Sequence, residues 1–234
     1  MVERIWTPED LARAAAELEP QGAEGVLTWA LEQFGPEEIA LACSFGAEDM
    51  VLVDMIAKVR PGTRAFYLDT NVLFPETYDL IEKARVRYPE VRFEQYLPLI
   101  TLEEQAVLHG EALWTTNPDA CCGIRKVEPL KRVLGALNAW VTGIRRDQAP
   151  TRASSKVVEW DEKFGLVKFN PLAAWTEKDV WRYLNKHNVP YNVLHDQGYP
   201  SIGCVHCTRA VKPGEDPRAG RWSGFQKTEC GLHK

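Results

Sequence analysis

The sequence has no long apolar run. No stretch approaches the roughly 18 uninterrupted apolar residues that a membrane-spanning helix needs. The opening Met1-Val2-Glu3-Arg4 is not followed by an apolar core of signal-peptide length. We therefore expect a cytoplasmic protein with no membrane partner.

A basic excess is also lacking. Lys and Arg number 28 against 33 Asp and Glu, which gives a net charge of −5. Surfaces that bind duplex nucleic acid usually carry an excess of positive charge, so we expect no nucleic-acid partner. A small anionic ligand is not excluded, because a few local arginines suffice to bind it. Internal repeats and low-complexity segments are absent as well.

The 234 residues are compatible with one α/β domain. Strands are predicted at residues 39–43, 64–69, 91–97 and 139–143, with a short hairpin from 157–160 and 166–169. Helices are predicted from Thr7 to about 18, and over 24–34, 50–59, 75–87, 102–109, 124–137 and 176–188. This alternation favours a doubly wound parallel sheet with helices on both faces. We expect residues 1–207 to form the domain and 208–234 a mobile C-terminal tail.

The six cysteines fall into three kinds of context. Cys43 ends an apolar run and is interpreted as a small buried side chain. Cys121-Cys122 and the Cys204-x-x-Cys207 pair are interpreted as metal ligands, because sulfur ligands select zinc or an iron-sulfur cluster. Adjacent cysteine side chains diverge, which favours a cuboidal cluster with separate iron corners over one zinc ion. Four unligated buried thiols are the remaining alternative.

Cys230 is the candidate nucleophile. It lies four residues before the end of a segment rich in glycine, proline and charge. The thiolate is the reactive form of cysteine, and nearby cations or a histidine increase its supply. His233 fits that role, although a solvated terminal histidine is an equal alternative. An incidental cysteine in a disordered end is the alternative for Cys230 itself.

Three loops follow predicted strands and are candidates for an anion or nucleotide site. In Ser44-Phe45-Gly46-Ala47-Glu48-Asp49, glycine allows close approach of the backbone, although an ordinary connecting loop explains it equally well. Leu68-Asp69-Thr70-Asn71 fits contact with a base or ribose, or simple capping of a turn. The loop from Thr142 to Arg152 has three arginines, which either grip phosphate or sulfate or are solvated. The candidate cations are Lys126, Arg145, Arg152, Arg218 and Arg221.

In combination, these motifs resemble the assimilatory sulfonucleotide reductases from about residue 39 to the end. The matching segments are Ser44-Phe45-Gly46-Ala47-Glu48-Asp49, Tyr67-Leu68-Asp69-Thr70, Cys121-Cys122 with Arg125-Lys126, Thr142-Gly143-Ile144-Arg145-Arg146, Cys204-x-x-Cys207, and Glu229-Cys230-Gly231-Leu232-His233. The four paired cysteines are typical of the bacterial iron-sulfur branch that acts on adenosine 5'-phosphosulfate (APS). The branch acting on the 3'-phosphorylated form (PAPS) generally lacks them.

The resemblance implies a doubly wound sheet of the adenine-nucleotide α-hydrolase (PP-loop) type. The lysine and second glycine of the ATP-cleaving relatives are missing from the loop at Gly46, which argues against ATP hydrolysis. The implied metal site is a 4Fe-4S cluster on Cys121, Cys122, Cys204 and Cys207. The expected substrate-binding residues are Ser44, Phe45, Gly46, Leu68, Asp69, Lys126, Gly143, Arg145, Arg152, Arg218, Arg221 and His233.

The implied activity is an oxidoreductase step of sulfate assimilation and cysteine biosynthesis. Cys230 would attack the sulfur of APS, expel AMP and carry the sulfonate. Thioredoxin or glutaredoxin would then release sulfite. The alternatives are a dual-specificity or PAPS reductase, a PP-loop sulfur-transfer enzyme, and a zinc-stabilised binding module. A homo-oligomer is compatible with the sequence.

Overall fold

A six-stranded, mostly parallel sheet forms the centre of the computed structural model, which describes residues 6–227 and 229–232. The strands are β1 Ile39–Ala42, β2 Arg64–Leu68, β3 Arg92–Tyr96, β4 Ala139–Val141, β5 Val158–Asp161 and β6 Leu166–Phe169. Their order is β3-β2-β1-β4-β6-β5, and only β5, at one edge, runs antiparallel to its neighbour. The chain winds outward in both directions from β1, as the sequence predicts.

Helices connect the strands. In the described residues they are α1 Pro8–Leu18, α2 Gly22–Gln33, α3 Ala47–Val59, α4 Pro75–Arg87, α5 Leu102–His109, α6 Leu113–Thr116, α7 Pro118–Cys122, α8 Glu128–Leu134 and α9 Glu177–His187. Thr7, Thr101 and Thr176 begin α1, α5 and α9 with complete capping boxes, in which the threonine hydroxyl accepts from an N3 amide. These local signals explain why the starts of these helices were predictable.

Alternating side chains along the strands build two cores, one on each face of the sheet. Ile39 and Leu41 belong to the larger core, whereas Ala40 between them belongs to the smaller one. In β4, Trp140 faces the smaller core, which α8 covers with Leu130. Continuous burial on both faces is typical of a parallel sheet covered by helices. The expected fold class is confirmed.

One local prediction needed correction, and another gained a detail that the sequence did not supply. The segment predicted as one helix from 124 to 137 starts with a π-helical turn at Gly123–Val127 and ends as α8 at Leu134. The predicted hairpin is present as β5 and β6, and it extends the main sheet because β6 pairs in parallel with β4. Hydrophobic spacing reports neither the wider π turn nor which strand a hairpin will pair with.

The segment after residue 207 packs on the domain. The backbone N–H of Trp222 donates to the carbonyl of Cys207 at 3.0 Å, and Thr208 bridges to Arg221. Trp222 is 3% exposed. None of the helices in the described ranges is both long enough and apolar enough to cross a bilayer.

Candidate active site

A cavity of about 300 Å³ lies at the carboxyl ends of the central strands. The segments following β1, β2 and β4 all open into it, through Ser44, Leu68 and Gly143. Strand order reverses beside β1, and that is where doubly wound sheets place their ligands. The topology alone therefore gathers distant loops into one site.

Most of the predicted site residues meet in this cavity. The predicted residues that line it are Ser44, Phe45, Gly46, Leu68, Lys126, Gly143, Arg145, Arg152, Arg218, Arg221 and Cys230. His233 lies outside the described residues. Asp69 turns away from the cavity and is 4% exposed, and its carboxylate accepts from Tyr78, Gln95 and the backbone of Asn71 at 2.7–2.8 Å. In this arrangement the Asp69 carboxylate supports the loop after β2.

The loop after β1 is tightly built around Asp49. Its carboxylate accepts from both the backbone N–H and the hydroxyl of Ser44, each at 2.6 Å. Phe45 has a left-handed φ of 59°, and its ring packs on Tyr67 with centroids 5.4 Å apart. Gly46 then begins α3 without a side-chain cap. The first N–H groups of α3 thus remain available to an anion.

Gly143 allows the loop after β4 to close against this structure. A Cβ atom at that position would lie 3.0 Å from the Cβ of Glu48 and 3.4 Å from the backbone nitrogen of Asp49, and would overlap the Asp49 carboxylate. Any larger residue must push α3 or β4 aside. Close packing of two loops therefore explains why glycine is needed at position 143.

The carboxyl of Asp49 makes the stability of this loop dependent on pH. Burial raises its pKa from 3.8 to about 6, against the opposing effect of the Ser44 hydrogen bonds. Because the folded pKa is the higher one, its stabilising contribution is complete below 3.8 and is lost as the pH rises through about 6. From the size of this shift, we expect wild type to lose on the order of 3 kcal/mol more stability than Asp49→Asn between pH 4 and pH 8.

Urea unfolding of the two proteins at both pH values measures this difference. Asp79→Asn, on the exposed side of α4, is the matched control and should follow wild type. Equal pH dependence of wild type and Asp49→Asn would contradict the assignment.

Arg145 is in the cavity but is already balanced by acids. Its guanidinium, 6% exposed, donates from Nε to Glu48 at 2.9 Å and also pairs with Asp147. Two carboxylates on one guanidinium leave little net positive charge for a ligand. Arg145 therefore links the loops after β1 and β4 in this arrangement.

Lys126 and Arg221 differ from Arg145, because neither forms an ion pair with a carboxylate in the described part of the chain. Arg221 donates from Nη1 to the Ser201 hydroxyl at 3.0 Å and lies 4.5 Å above the ring of Trp222. Burial favours the neutral amine of Lys126, but the negative charges of Cys204 and Cys230 in their thiolate forms outweigh that effect and raise the pKa of Lys126. Positive charge is therefore concentrated at this end of the cavity.

The thiol of Cys230 lines the same end of the cavity. The tail that carries it is held by two contacts just after Cys230. Lys163 Nζ donates to the carbonyl of Gly231 at 2.5 Å, and Leu232 packs on the smaller core beside Phe164. The described tail residues thus hold the sulfhydryl close to Lys126, although the two are distant in sequence.

The four paired cysteines line a second, smaller cavity next to the first. Burial is the main cause that raises the pKa of Cys207 to about 11, and the other three thiols contribute, Cys204 most strongly. The sulfur of Cys204 lies 3.3 Å from the hydroxyl of Thr70. The structure therefore brings together the two cysteine pairs that the sequence separates by more than 80 residues.

Arg125 provides a test of which group fits this cavity. It is 1% exposed, and its Nη1 donates to the carbonyl of Ile100 at 3.2 Å. Its Nε and Nη2 have no hydrogen-bond partner in the described residues. A buried guanidinium with unused donors beside four thiols fits an anionic, thiolate-bound group with acceptor sulfurs. Within residues 6–227 and 229–232, no three His, Cys, Asp or Glu side chains are arranged to hold a single metal ion.

Several cavity residues were not predicted from sequence. Glu48, Asp147, His195 and Glu229 all line the cavity. Glu48 and Glu229 lie within motifs that were recognised, so proximity to Gly46 and Cys230 was the available signal. Asp147 lies in the arginine-rich loop from Thr142 to Arg152, which was also recognised. For His195 no signal was present, because only the folded chain brings it to the sheet edge.

Comparison with known proteins places this site in a family. The model of the phosphoadenosine phosphosulfate reductase domain matches residues 38–210, which span the sheet, both cysteine pairs and most of the cavity. The chain belongs to this family of sulfonucleotide reductases.

Individual relatives agree with that result. The chain is 53% identical over 213 residues to an adenosine 5'-phosphosulfate reductase of Staphylococcus haemolyticus, covering 91% of this chain and 87% of the relative. It is 49% identical over 217 residues to the protein of that name in Halalkalibacterium halodurans, covering 93% and 94%.

Solved structures extend the comparison to the fold. A phosphoadenylyl-sulfate reductase from Candida auris, solved as a phosphate complex, superposes with a TM-score of 0.77 at 33% identity, covering 88% of this chain and all of that one. An FMN adenylyltransferase from Candida glabrata gives a TM-score of 0.60 at 18% identity, covering 92% and 74%. The second match shows a shared fold only.

Proposed function

We propose that this protein reduces adenosine 5'-phosphosulfate to sulfite and AMP. The observation that supports this most directly is the position of the Cys230 thiol in a cavity also lined by Lys126 and Arg221, which form no ion pair with a carboxylate among the described residues. The names of the relatives from Staphylococcus haemolyticus and Halalkalibacterium halodurans agree with this substrate. The activity is that of an oxidoreductase acting on a sulfur group.

In the first step, the sulfur of Cys230 attacks the sulfur of the sulfate group. A sulfur–sulfur bond forms while the bond from that sulfur to the bridging oxygen breaks, and AMP leaves with the electron pair. The product on the enzyme is an S-sulfocysteine at Cys230. The reaction is a nucleophilic displacement, so it needs the thiolate form of Cys230 and stabilisation of the negative charge that develops on the AMP leaving group.

Fixed positive charge in the cavity makes this attack feasible. The phosphate and sulfate groups are anionic, and the thiolate adds a third negative charge close to them. In a site of low dielectric, their repulsion must be offset by cations that are already in place. We assign this role to Lys126, Arg152, Arg218 and Arg221. The backbone of Ser44, Phe45 and Gly46 and the segment at Leu68 would hold the nucleoside.

In the second step, a thiolate of the reductant attacks the Cys230 sulfur. The sulfonate leaves as sulfite with the electron pair, and a mixed disulfide remains. A second thiol of the reductant resolves that disulfide, so the dithiol supplies both electrons. Thioredoxin or glutaredoxin has the required chemistry, and both work in the reducing cytoplasm, where we place this protein.

We further propose that Cys121, Cys122, Cys204 and Cys207 hold a 4Fe-4S cluster. The donor set and the unused donors of Arg125 support a cluster over a zinc ion. When bound, the cluster supplies negative charge beside Lys126, and electron transfer from it is not needed because thiols provide the electrons. Lys126 lies between the two cavities and lines both, so it would keep the substrate end positively charged.

Sulfite release from APS and from its 3'-phosphorylated analogue, measured side by side with reduced thioredoxin, tests the proposed function. We expect APS to be preferred by at least about tenfold in kcat/KM, because the relatives from Staphylococcus haemolyticus and Halalkalibacterium halodurans are named for that substrate. Comparable rates would indicate dual specificity. No sulfite from either compound would refute the proposal.

A further inference from the structure

The carboxylate of Glu229, next to the nucleophile, is clamped by two arginines. Arg152 donates from Nε to Oε1 at 3.1 Å and from Nη2 to Oε2 at 2.9 Å. Arg218 donates from Nη2 to Oε2 at 3.2 Å, and the hydroxyl of Thr151 lies 3.3 Å from Oε1. Glu229 is only 9% exposed. Arg152 thus forms a bidentate pair with the carboxylate, and guanidinium groups bind phosphate and sulfate with the same bidentate geometry.

Glu229 is charged at neutral pH in this position. Burial alone would raise the pKa of its carboxyl, but the hydrogen bonds and charge of Arg152, with the charge of Arg218, lower the pKa overall. Of the acids that line the cavity in the described residues, Glu229 is the one that pairs with these two arginines. Glu48 and Asp147 pair with Arg145.

The net positive charge of the cavity increases when the Glu229 carboxylate moves away from Arg152 and Arg218. Lys126, Arg152, Arg218 and Arg221 contribute four positive charges to this end, and Glu229 cancels one of them. A substrate with two anionic groups needs the same donors, and a buried carboxylate close to it would repel it. The substrate anion and Glu229 therefore compete for one pair of guanidinium groups.

Glu229 immediately precedes Cys230 in the chain, so displacement of its side chain from the two arginines would also move the backbone that carries the nucleophile. We propose that Glu229 is a positioning residue that occupies the Arg152–Arg218 site in place of substrate, and that the phosphate or sulfate of the sulfonucleotide displaces it. The exchange frees the tail around Cys230 once the substrate is bound. This inference rests on the proposed function, since it assumes that a sulfonucleotide occupies the cavity.

Glu229→Gln tests the exchange, because glutamine keeps the size of the side chain and removes its charge. AMP serves as the probe, because it carries a phosphate and does not react. We expect the variant to bind AMP about tenfold more tightly than wild type in calorimetry, since no carboxylate has to be displaced. A residue that only supports the tail would not strengthen AMP binding when replaced.

The second measurement is the rate at which iodoacetamide alkylates Cys230, followed by peptide mapping. In wild type, AMP should increase this rate, because it releases the tail. In Glu229→Gln the rate should be high with or without AMP. Glu229→Asp, which keeps the charge, should behave like wild type, and so should Glu215→Gln, whose carboxylate pairs with Arg209 on the tail.

Equal or weaker AMP binding by Glu229→Gln overturns the inference, as does a wild-type alkylation rate that AMP leaves unchanged or lowers. Should the glutamine variant fail to fold, the wild-type alkylation result decides alone. Both measurements are independent of turnover. If wild type makes no sulfite, the proposed function fails. If wild type makes sulfite but Glu229→Gln binds AMP with unchanged affinity, the exchange between Glu229 and substrate is refuted and the proposed function stands.

Discussion

Replacement of Cys230 by serine is expected to reduce sulfite release by at least about a thousandfold. A serine hydroxyl is not ionised near neutral pH and is a poor nucleophile toward the sulfur of a phosphate–sulfate anhydride. A disulfide with the reductant also cannot form without the Cys230 sulfur. Both steps of the reaction therefore require the sulfur of Cys230.

The fold and the rest of the cavity should be unaffected by Cys230→Ser. The thiol of Cys230 makes no hydrogen bond in the described structure and serine is close to it in size, so the replacement removes no hydrogen bond and little packing. The variant should bind AMP with wild-type affinity and retain its iron. Sulfite release from Cys230→Ser at a rate within tenfold of wild type would show that another group attacks the substrate.

Replacement of Cys204 by serine is expected to remove the metal cofactor. Cys204 is 9% exposed, and among the described residues that line the smaller cavity the cysteines are the four paired ones, so no fifth thiol lies there to replace it. Serine oxygen is a hard ligand that suits iron-sulfur chemistry poorly. We expect iron to fall from about four atoms per chain to near zero, with loss of acid-labile sulfide and a large drop in thermal stability.

Iron and sulfide analysis of anaerobically purified protein measures this effect. Cys43→Ala is the matched control, because Cys43 is a buried cysteine at the end of β1 and belongs to neither pair. That variant should keep its iron. A colourless wild-type protein containing zinc, and no iron, would support the zinc-stabilised alternative and refute the cluster.

Much of the fold was predictable because its signals are local. The threonine, proline and acids at residues 7–10 marked the start of α1, the Thr176 capping box marked the start of α9, and the predicted bounds of α4 at 75–87 match the structure. Alternation of strands and helices then predicted the parallel sheet. The pairing of β6 with β4 was not predictable, because it depends on a contact between residues distant in sequence.

The site was predictable to the extent that strand ends share one edge of a parallel sheet. That rule correctly placed Ser44, Leu68 and Gly143 in one cavity. It says nothing about where a side chain points or what neutralises it. The turn of the Asp69 carboxylate away from the cavity and the pairing of Arg145 with two acids therefore became visible only in the folded chain.

In the C-terminal tail, too, the sequence motif predicted the candidate residue but not its contacts. The motif around Cys230 identified a candidate nucleophile, but nothing in the sequence linked Glu229 to Arg152, 77 residues away. A buried ion pair over that distance depends on the whole fold. His233, expected to assist the thiol, stays a prediction because it lies outside the described residues.

Transfer of the sulfonate group to Cys230 is the central claim, and mass spectrometry of a single turnover tests it most directly. The reduced protein is mixed with APS in the absence of any reductant, digested and mapped. The account predicts one sulfonate group on the peptide that contains Cys230, formed together with one equivalent of AMP. AMP or sulfite formation with an unmodified Cys230, or a sulfonate on any other cysteine, would contradict it.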